Sequence, residues 1–267
     1  MIFQQYRNHL LVVRQPDHGV QTGLFAQRWG NEQTPPFTPR EPVIAAGTRH
    51  DDGWKAWEER PSLDPATGQP WQFYQLTPHE HVPLYRQGIT MAAQYDLTTG
   101  LLVSMHGAGL YNDRYGTFRL AERQFSPAEQ ALVDEFLAEQ ALFQQSLAER
   151  TLGRQLHTHV TTDPHVWYNY LLLQVWDRLS LQYAFRLAAD GEIAPLPRPD
   201  GATTVLRCRY NGDLSLLLDP YPFEESQHIF PLQARLLPAK PYRHAEEFLA
   251  AMAKAEVTIL ECRASRA

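Results

Sequence analysis

Lysine is almost absent: 3 lysines stand beside 21 arginines, and no basic run occurs anywhere along the 267 residues. With a formal net charge of −6, the chain lacks the electrostatic footprint of a nucleic-acid binder, so no nucleic-acid partner is expected. Cysteine is scarce as well. Cys208 and Cys262 lack metal-ligand spacing and imply no disulfide framework. Internal repeats and low-complexity tracts are missing. So is a clean hydrophobic span: "VWYNYLLLQVWDRLSLQYAF" reaches membrane length but contains Asn169, Gln174, Asp177, Arg178 and Gln182, which suits a buried helix better than lipid. The opening "MIFQQYRNHLLVVRQ" turns polar too soon for a secretory signal. Together these absences predict a cytoplasmic, reduced protein with no membrane partner.

What is present is the composition of a globular protein, 43% hydrophobic and 11% aromatic, long enough for a substantial core. Residues 1–15 read as a β-hairpin. Helices are predicted from Asp17 to Trp29, from Pro42 to about His50, over 83–96 and over 98–110. "SPAEQ" is a clear helix start, with Ser126 as cap, Pro127 as the first helical residue and Glu129 as the reciprocal acid. Asp163-Pro164 opens a long helix that is apolar on most sides. The Pro-rich "APLPRPDGATT", residues 194–204, reads as a linker or long turn. Beyond it come four short strands and one helix, "RHAEEFLAAMAKA". The expected plan is α+β: a mainly helical body over residues 1–190, and a small antiparallel β-layer from residues 191–267 that the N-terminal hairpin joins, forming one unit.

Several polar residues fall where apolar ones belong. Asp177 lies inside the apolar stripe Val166, Tyr170, Leu173, Ser180, Leu181, Ala184. A buried carboxylate needs a partner, either an arginine from elsewhere or a metal ion. Arg178 is a poor candidate, since consecutive residues point about 100° apart on a helix. His18 shares a face with Thr22, Phe25 and Trp29; His106 shares one with Leu102, Val103 and Leu110. "AAGTRHDDGW" ends an apolar run in His50-Asp51. Taken alone, each reads first as a hydrogen-bonded or ion-paired core residue. Together, on four predicted helices, His18, His50, Asp51, His106 and Asp177 form an N/O set suited to one or two divalent transition ions: manganese, iron, nickel or zinc.

The order of a lone His, a His-Asp tandem and a late Asp on a long helix resembles the HD-domain superfamily of metal-dependent phosphohydrolases, over roughly residues 15–185. That resemblance implies an HD-like helical bundle, with His18, His50, Asp51 and Asp177 as core ligands and His106 supporting a second metal. "QPDH", "HDDGW", "SMHG" and "WDRLS" together are similar, more closely, to a bacterial domain-of-unknown-function family. The chain departs from the His-Asp-x-Gly-Lys pattern of many HD proteins: Trp54 follows Gly53, and Lys55 comes one place later. His79 and His81, beside Pro78 and Pro83, read as loop residues.

A metal site of this kind predicts hydrolysis of a small, nucleotide-like phosphoester by metal-activated water. Asp52 is the expected water-activating base, or else a turn residue before Gly53. Arg49, Arg114 and Arg178 are expected phosphate clamps, with Trp54 and Lys55 beside the substrate. The aromatics Trp54, Trp57, Trp71, Phe73 and Tyr74 bracket the loop "ERPSLDPATGQP", which reads as a lid or as a hydrophobic cover. Two alternatives share the residues: a diiron oxygenase on the same site, and a non-catalytic metal- or ligand-binding protein.

Overall fold

The computed structural model describes residues 1–267 apart from 33, 35, 117–123, 154–158, 160 and 161. Its described residues make one seven-stranded sheet in the order β1-β2-β6-β7-β5-β4-β3, with helices packed on it. β1 (Ile2–Tyr6) and β2 (His9–Val13) form the expected hairpin, and β2 pairs with β6 (Gln227–Pro238), so the hairpin joins the C-terminal layer. β7 (Val257–Arg266) pairs with β6 antiparallel and with β5 (Ser215–Asp219) parallel. That one parallel pair corrects the expectation of a purely antiparallel layer.

The predicted linker is also corrected. Residues 191–197 form β3 (Gly191–Pro197), paired with β4 (Thr203–Tyr210) across a register shift between Ile193 and Leu196. β3 is an edge strand, where Pro195 and Pro197 cost no ladder hydrogen bond on the open side.

Side chains alternate across the sheet as strand geometry requires. On β2, Leu11 and Val13 join the main core, whereas Leu10 and Val12 face a second cluster with Met1, Leu237, Tyr242 and Phe248. Phe248 belongs to α8 (Ala245–Lys254), which covers that second face. The main core lies between the sheet and α1 (Gln15–Arg28), with Phe25 of α1 meeting Phe230 of β6 at 4.4 Å between ring centres.

At the centre of the helical body runs α7 (Pro164–Ala184), capped by Asp163 and buried continuously from Asn169 to Ala184. Against it pack α1, α2 (Arg40–Arg49) and α5 (Leu97–Gly109), while α4 (Pro78–Tyr95) and α6 (Pro127–Leu152) pack on α5 and a single-turn α3 (Lys55–Glu58) follows the His-Asp tandem. α6 begins with the Ser126/Glu129 capping box read from the sequence. No described helix is long and apolar enough to cross a membrane.

Glycines let α1 and α2 approach closely. A Cβ on Gly23 would lie 2.0 Å from Thr48 Oγ1, and one on Gly19 would lie 2.7 Å from the Thr48 carbonyl. The contact draws the His18 turn of α1 against the C-terminal end of α2, where His50 sits.

Candidate metal centre

His18, His50, Asp51, His106 and Asp177 converge, each at most 4% exposed. Two triads, His18–His50–Asp51 and His50–His106–Asp177, bring ligand atoms within 4.8 Å of one another. His18 comes from α1, His50 and Asp51 from the end of α2, His106 from α5 and Asp177 from α7.

Hydrogen bonding fixes the tautomers. Gln21 Nε2 donates to the Phe230 carbonyl, which turns its Oε1 toward Ser180, and the Ser180 hydroxyl donates to that oxygen. The Ser180 oxygen must therefore accept from His18 Nδ1, at 2.7 Å. In the neutral ring, the His18 Nε2 lone pair then faces Asp177 Oδ1 at 2.7 Å. His50 repeats the pattern. Its Nδ1 donates to the Gly47 carbonyl at 2.8 Å, and its buried Nε2 has no hydrogen-bond partner, lying 3.5 Å from Asp51 Oδ2 and 3.6 Å from Asp177 Oδ1. A lone pair against a carboxylate oxygen is repulsive until a proton or a cation lies between them. Outer hydrogen bonds of this kind orient metal-ligating histidines. The residues fit a divalent ion.

The electrostatics agree with that reading. Burial alone would lower the pKa of His50, but Asp51 and Asp177 outweigh it and lift the value to about 9. A proton on His50 thus balances part of the carboxylate charge when no ion is bound. Burial and the neighbouring His50 push His106 down to about 4, and its Nδ1 lies 3.2 Å from Gln174 Oε1, so it is a neutral donor. Burial would raise Asp177, but the imidazoles of His18 and His50 beside it, once protonated, hold it well below the usual carboxylate range. Tyr85 donates to Asp51 Oδ1 at 3.0 Å and Tyr115 donates to Asp177 Oδ2. Burial, then the adjacent carboxylates, keep both phenols well above their ordinary pKa and therefore protonated.

His18, Asp51, His106 and Asp177 line a cavity of about 510 Å³, walled by Phe73, Tyr74, Tyr111, Phe125 and Leu181. Other expected site residues lie elsewhere. Asp52 does not border this cavity: Lys55 pairs with its Oδ1 at 2.7 Å and Arg49 with its Oδ2 at 3.3 Å, so its carboxylate is committed to cations and not to a water at the cluster. Replacing Asp52 with Asn is expected to leave metal content unchanged and to cost at most about 1 kcal/mol in urea unfolding, because both partners are substantially exposed. Arg49 also stacks on Tyr95 at 4.3 Å, Trp54 packs with Leu76 and Leu84, and Arg114 is exposed; none of these lines the cavity. Arg178 is buried and does not line the cavity either. The predicted lid packs away from the site, with Gln69 bonded to the Lys240 carbonyl and Gly68 to the Tyr242 amide; only Phe73 and Tyr74, past its end, reach the cavity.

His81 is a correction. It sits on α4, is 2% exposed, lines the cavity and meets the Tyr111 hydroxyl at 2.6 Å. Thr77-Pro78-His79-Glu80 forms a capping box with proline at the start of the helix, the same signal as Ser126-Pro127-Ala128-Glu129. That signature places His81 and Tyr85 one turn apart on a helix and was available in the sequence.

A family model described as "Protein of unknown function (DUF3891)" matches residues 1–239. The chain belongs to that family. The match spans every member of the cluster and crosses from the helical body into the sheet as far as β6. No curated protein and no solved structure matches the chain.

Proposed function

We propose that this protein is a metal-dependent hydrolase of a small phosphoester, and that its helical half is an HD-type domain. The observation that carries the reading is the arrangement of His18 and His50. Each has Nδ1 bound to a protein acceptor and Nε2 directed at the carboxylates. The HD reading is supported by the order of the ligands along the chain, one His, a His-Asp tandem, a further His and a late Asp, on α1, the end of α2, α5 and α7.

His18, His50, Asp51 and Asp177 would hold the ion, with His106 beside them. A bound divalent ion supplies a water acidic enough to attack at neutral pH and a positive charge next to a phosphoryl oxygen. The chain's own residues do the rest. Tyr85 and Tyr115 each occupy one oxygen of a ligand carboxylate and so fix its orientation. Phe73, Tyr74, Tyr111 and Phe125 form an apolar wall that excludes bulk water and suits a ring-bearing substrate. His81, held by Tyr111, faces the same space.

Metal content by mass spectrometry, on wild type beside His50→Ala, tests the proposal when combined with hydrolysis of a phosphoester panel. Stoichiometric manganese, nickel or zinc in the wild type, lost in the variant, with turnover of at least one phosphoester, is expected. Iron with an oxygen-dependent optical change would move the site to oxygenase chemistry. A wild type that neither contains nor takes up any of these ions would sink the proposal.

A further inference from the structure

Arg178 bears a charge that no described carboxylate balances within ion-pair distance. Its side chain is 1% exposed. Nε donates to the Gln174 carbonyl at 2.8 Å and Nη1 to the Ala194 carbonyl, both uncharged acceptors. Nη2 is buried without a hydrogen-bond partner. One turn earlier on α7, Gln174 Nε2 is likewise buried and unpartnered, while its Oε1 serves His106. Residues four apart share a helix face, so two orphaned donors lie on one side of α7. An unpaired buried cation is strongly destabilising, and unmet donors add to that.

The position of this pair suggests its purpose. The Tyr115 ring lies 5.8 Å from the guanidinium carbon. Gly116 is closer: a Cβ there would lie 2.4 Å from Nη1, and its φ of +95° favours glycine. Tyr115 and Gly116 both line the metal-site cavity. A buried guanidinium therefore stands behind a wall formed by one ring and one bare backbone.

We infer that Arg178 and Gln174 form an anion subsite adjoining the metal centre, with Arg178 Nη2 and Gln174 Nε2 donating to the oxygens of a phosphoryl group. The identity of the anion as phosphoryl rests on the hydrolase reading; the capacity of two orphaned donors for an oxyanion does not. Guanidinium suits this task because its paired N–H groups match the spacing of phosphate oxygens.

Inorganic phosphate is the probe, followed by thermal shift and calorimetry on the full chain, before and after metal removal with a chelator, at ionic strength matched with chloride. Phosphate is expected to stabilise the metal-free wild type where chloride does not. Gln174→Glu keeps an oxygen acceptor for His106 and places a carboxylate one turn from Arg178. It should weaken phosphate binding to the metal-free protein by at least about tenfold, the loss of one charge-assisted contact. Arg178→Lys, which keeps the charge and loses the fork, should weaken it similarly, so the result does not depend on one variant folding. Equal phosphate binding in wild type and both variants, or no response in the wild type, would overturn the subsite. Binding that needs metal and survives both substitutions would overturn it while leaving the hydrolase reading intact. Phosphate binding through these donors in a protein that takes up no metal would do the reverse.

Discussion

Asp177→Asn is expected to purify without bound metal. Asp177 is the point where the cluster meets: Oδ1 faces His18 and His50, while Oδ2 takes the Tyr115 hydroxyl and lies 4.0 Å from His106 Nδ1. Asparagine preserves the shape and removes the charge. Removing an outer hydrogen-bond partner from a metal site costs about 10–100-fold in affinity, and loss of a ligand should exceed that. The metal-free fold should suffer too, because His18 and His50 keep their buried rings and lose the carboxylate between them. Breaking a buried pair on one side costs about 3–5 kcal/mol, readable as a lower urea midpoint in chelator-treated protein. Full metal content in this variant would remove Asp177 from the ligand set.

Gly53→Ala should be the most damaging single-methyl addition near the centre. The new Cβ would lie 2.0 Å from the Leu84 carbonyl oxygen and 3.0 Å from the Gly88 nitrogen. Both are backbone atoms of α4, so no side chain can rotate away and the helix itself must retreat. Overpacking a tight site usually costs 1–3 kcal/mol, and a backbone collision of this depth should cost about 3 kcal/mol or more. Gly88→Ala offers the internal comparison: its Cβ comes no nearer than 3.0 Å to Gly53, so its loss should be smaller. Urea midpoints of the two variants decide the matter, and equal loss would argue against close approach as the reason for Gly53. The glycine of "HDDGW" is thus explained by a crossing of backbone segments. Trp54, which follows it, is buried in an apolar cluster, and Lys55 pairs with Asp52.

The five clustered residues were legible because each put an ionisable group at a position that helical spacing marked as buried. Burial of such groups makes convergence the economical explanation, whatever the details of the fold. The poor match between Asp177 and Arg178 was legible for the same geometric reason, and Arg178 bonds instead to the Gln174 and Ala194 carbonyls. His81 was obscured by reading Pro78 and Pro83 as breakers, although proline at the first helical position is favourable. β3 was obscured because Pro195 and Pro197 read as linker, and edge position is a tertiary property that no local window contains. The role assigned to Asp52 came from neighbourhood in sequence, and those of Arg49 and Arg114 from guanidinium chemistry alone, which carries no position. Adjacent residues on a turn point in different directions, so proximity to His50-Asp51 did not bring Asp52 to the cavity.

The pairing of β2 with β6 sets the timing of assembly. His9 to Val12 find their partners among Arg235 to Pro238, more than 220 residues later along the chain. α1, which presents His18, rests on β6 through Phe25 and Phe230. The candidate ligand His18 is therefore seated by a strand that follows it at long range along the chain, and contacts of such long sequence separation slow folding. Until β6 arrives, α1 lacks the strand face on which Phe25 rests, so the His18 turn is the part of the candidate site that is seated late.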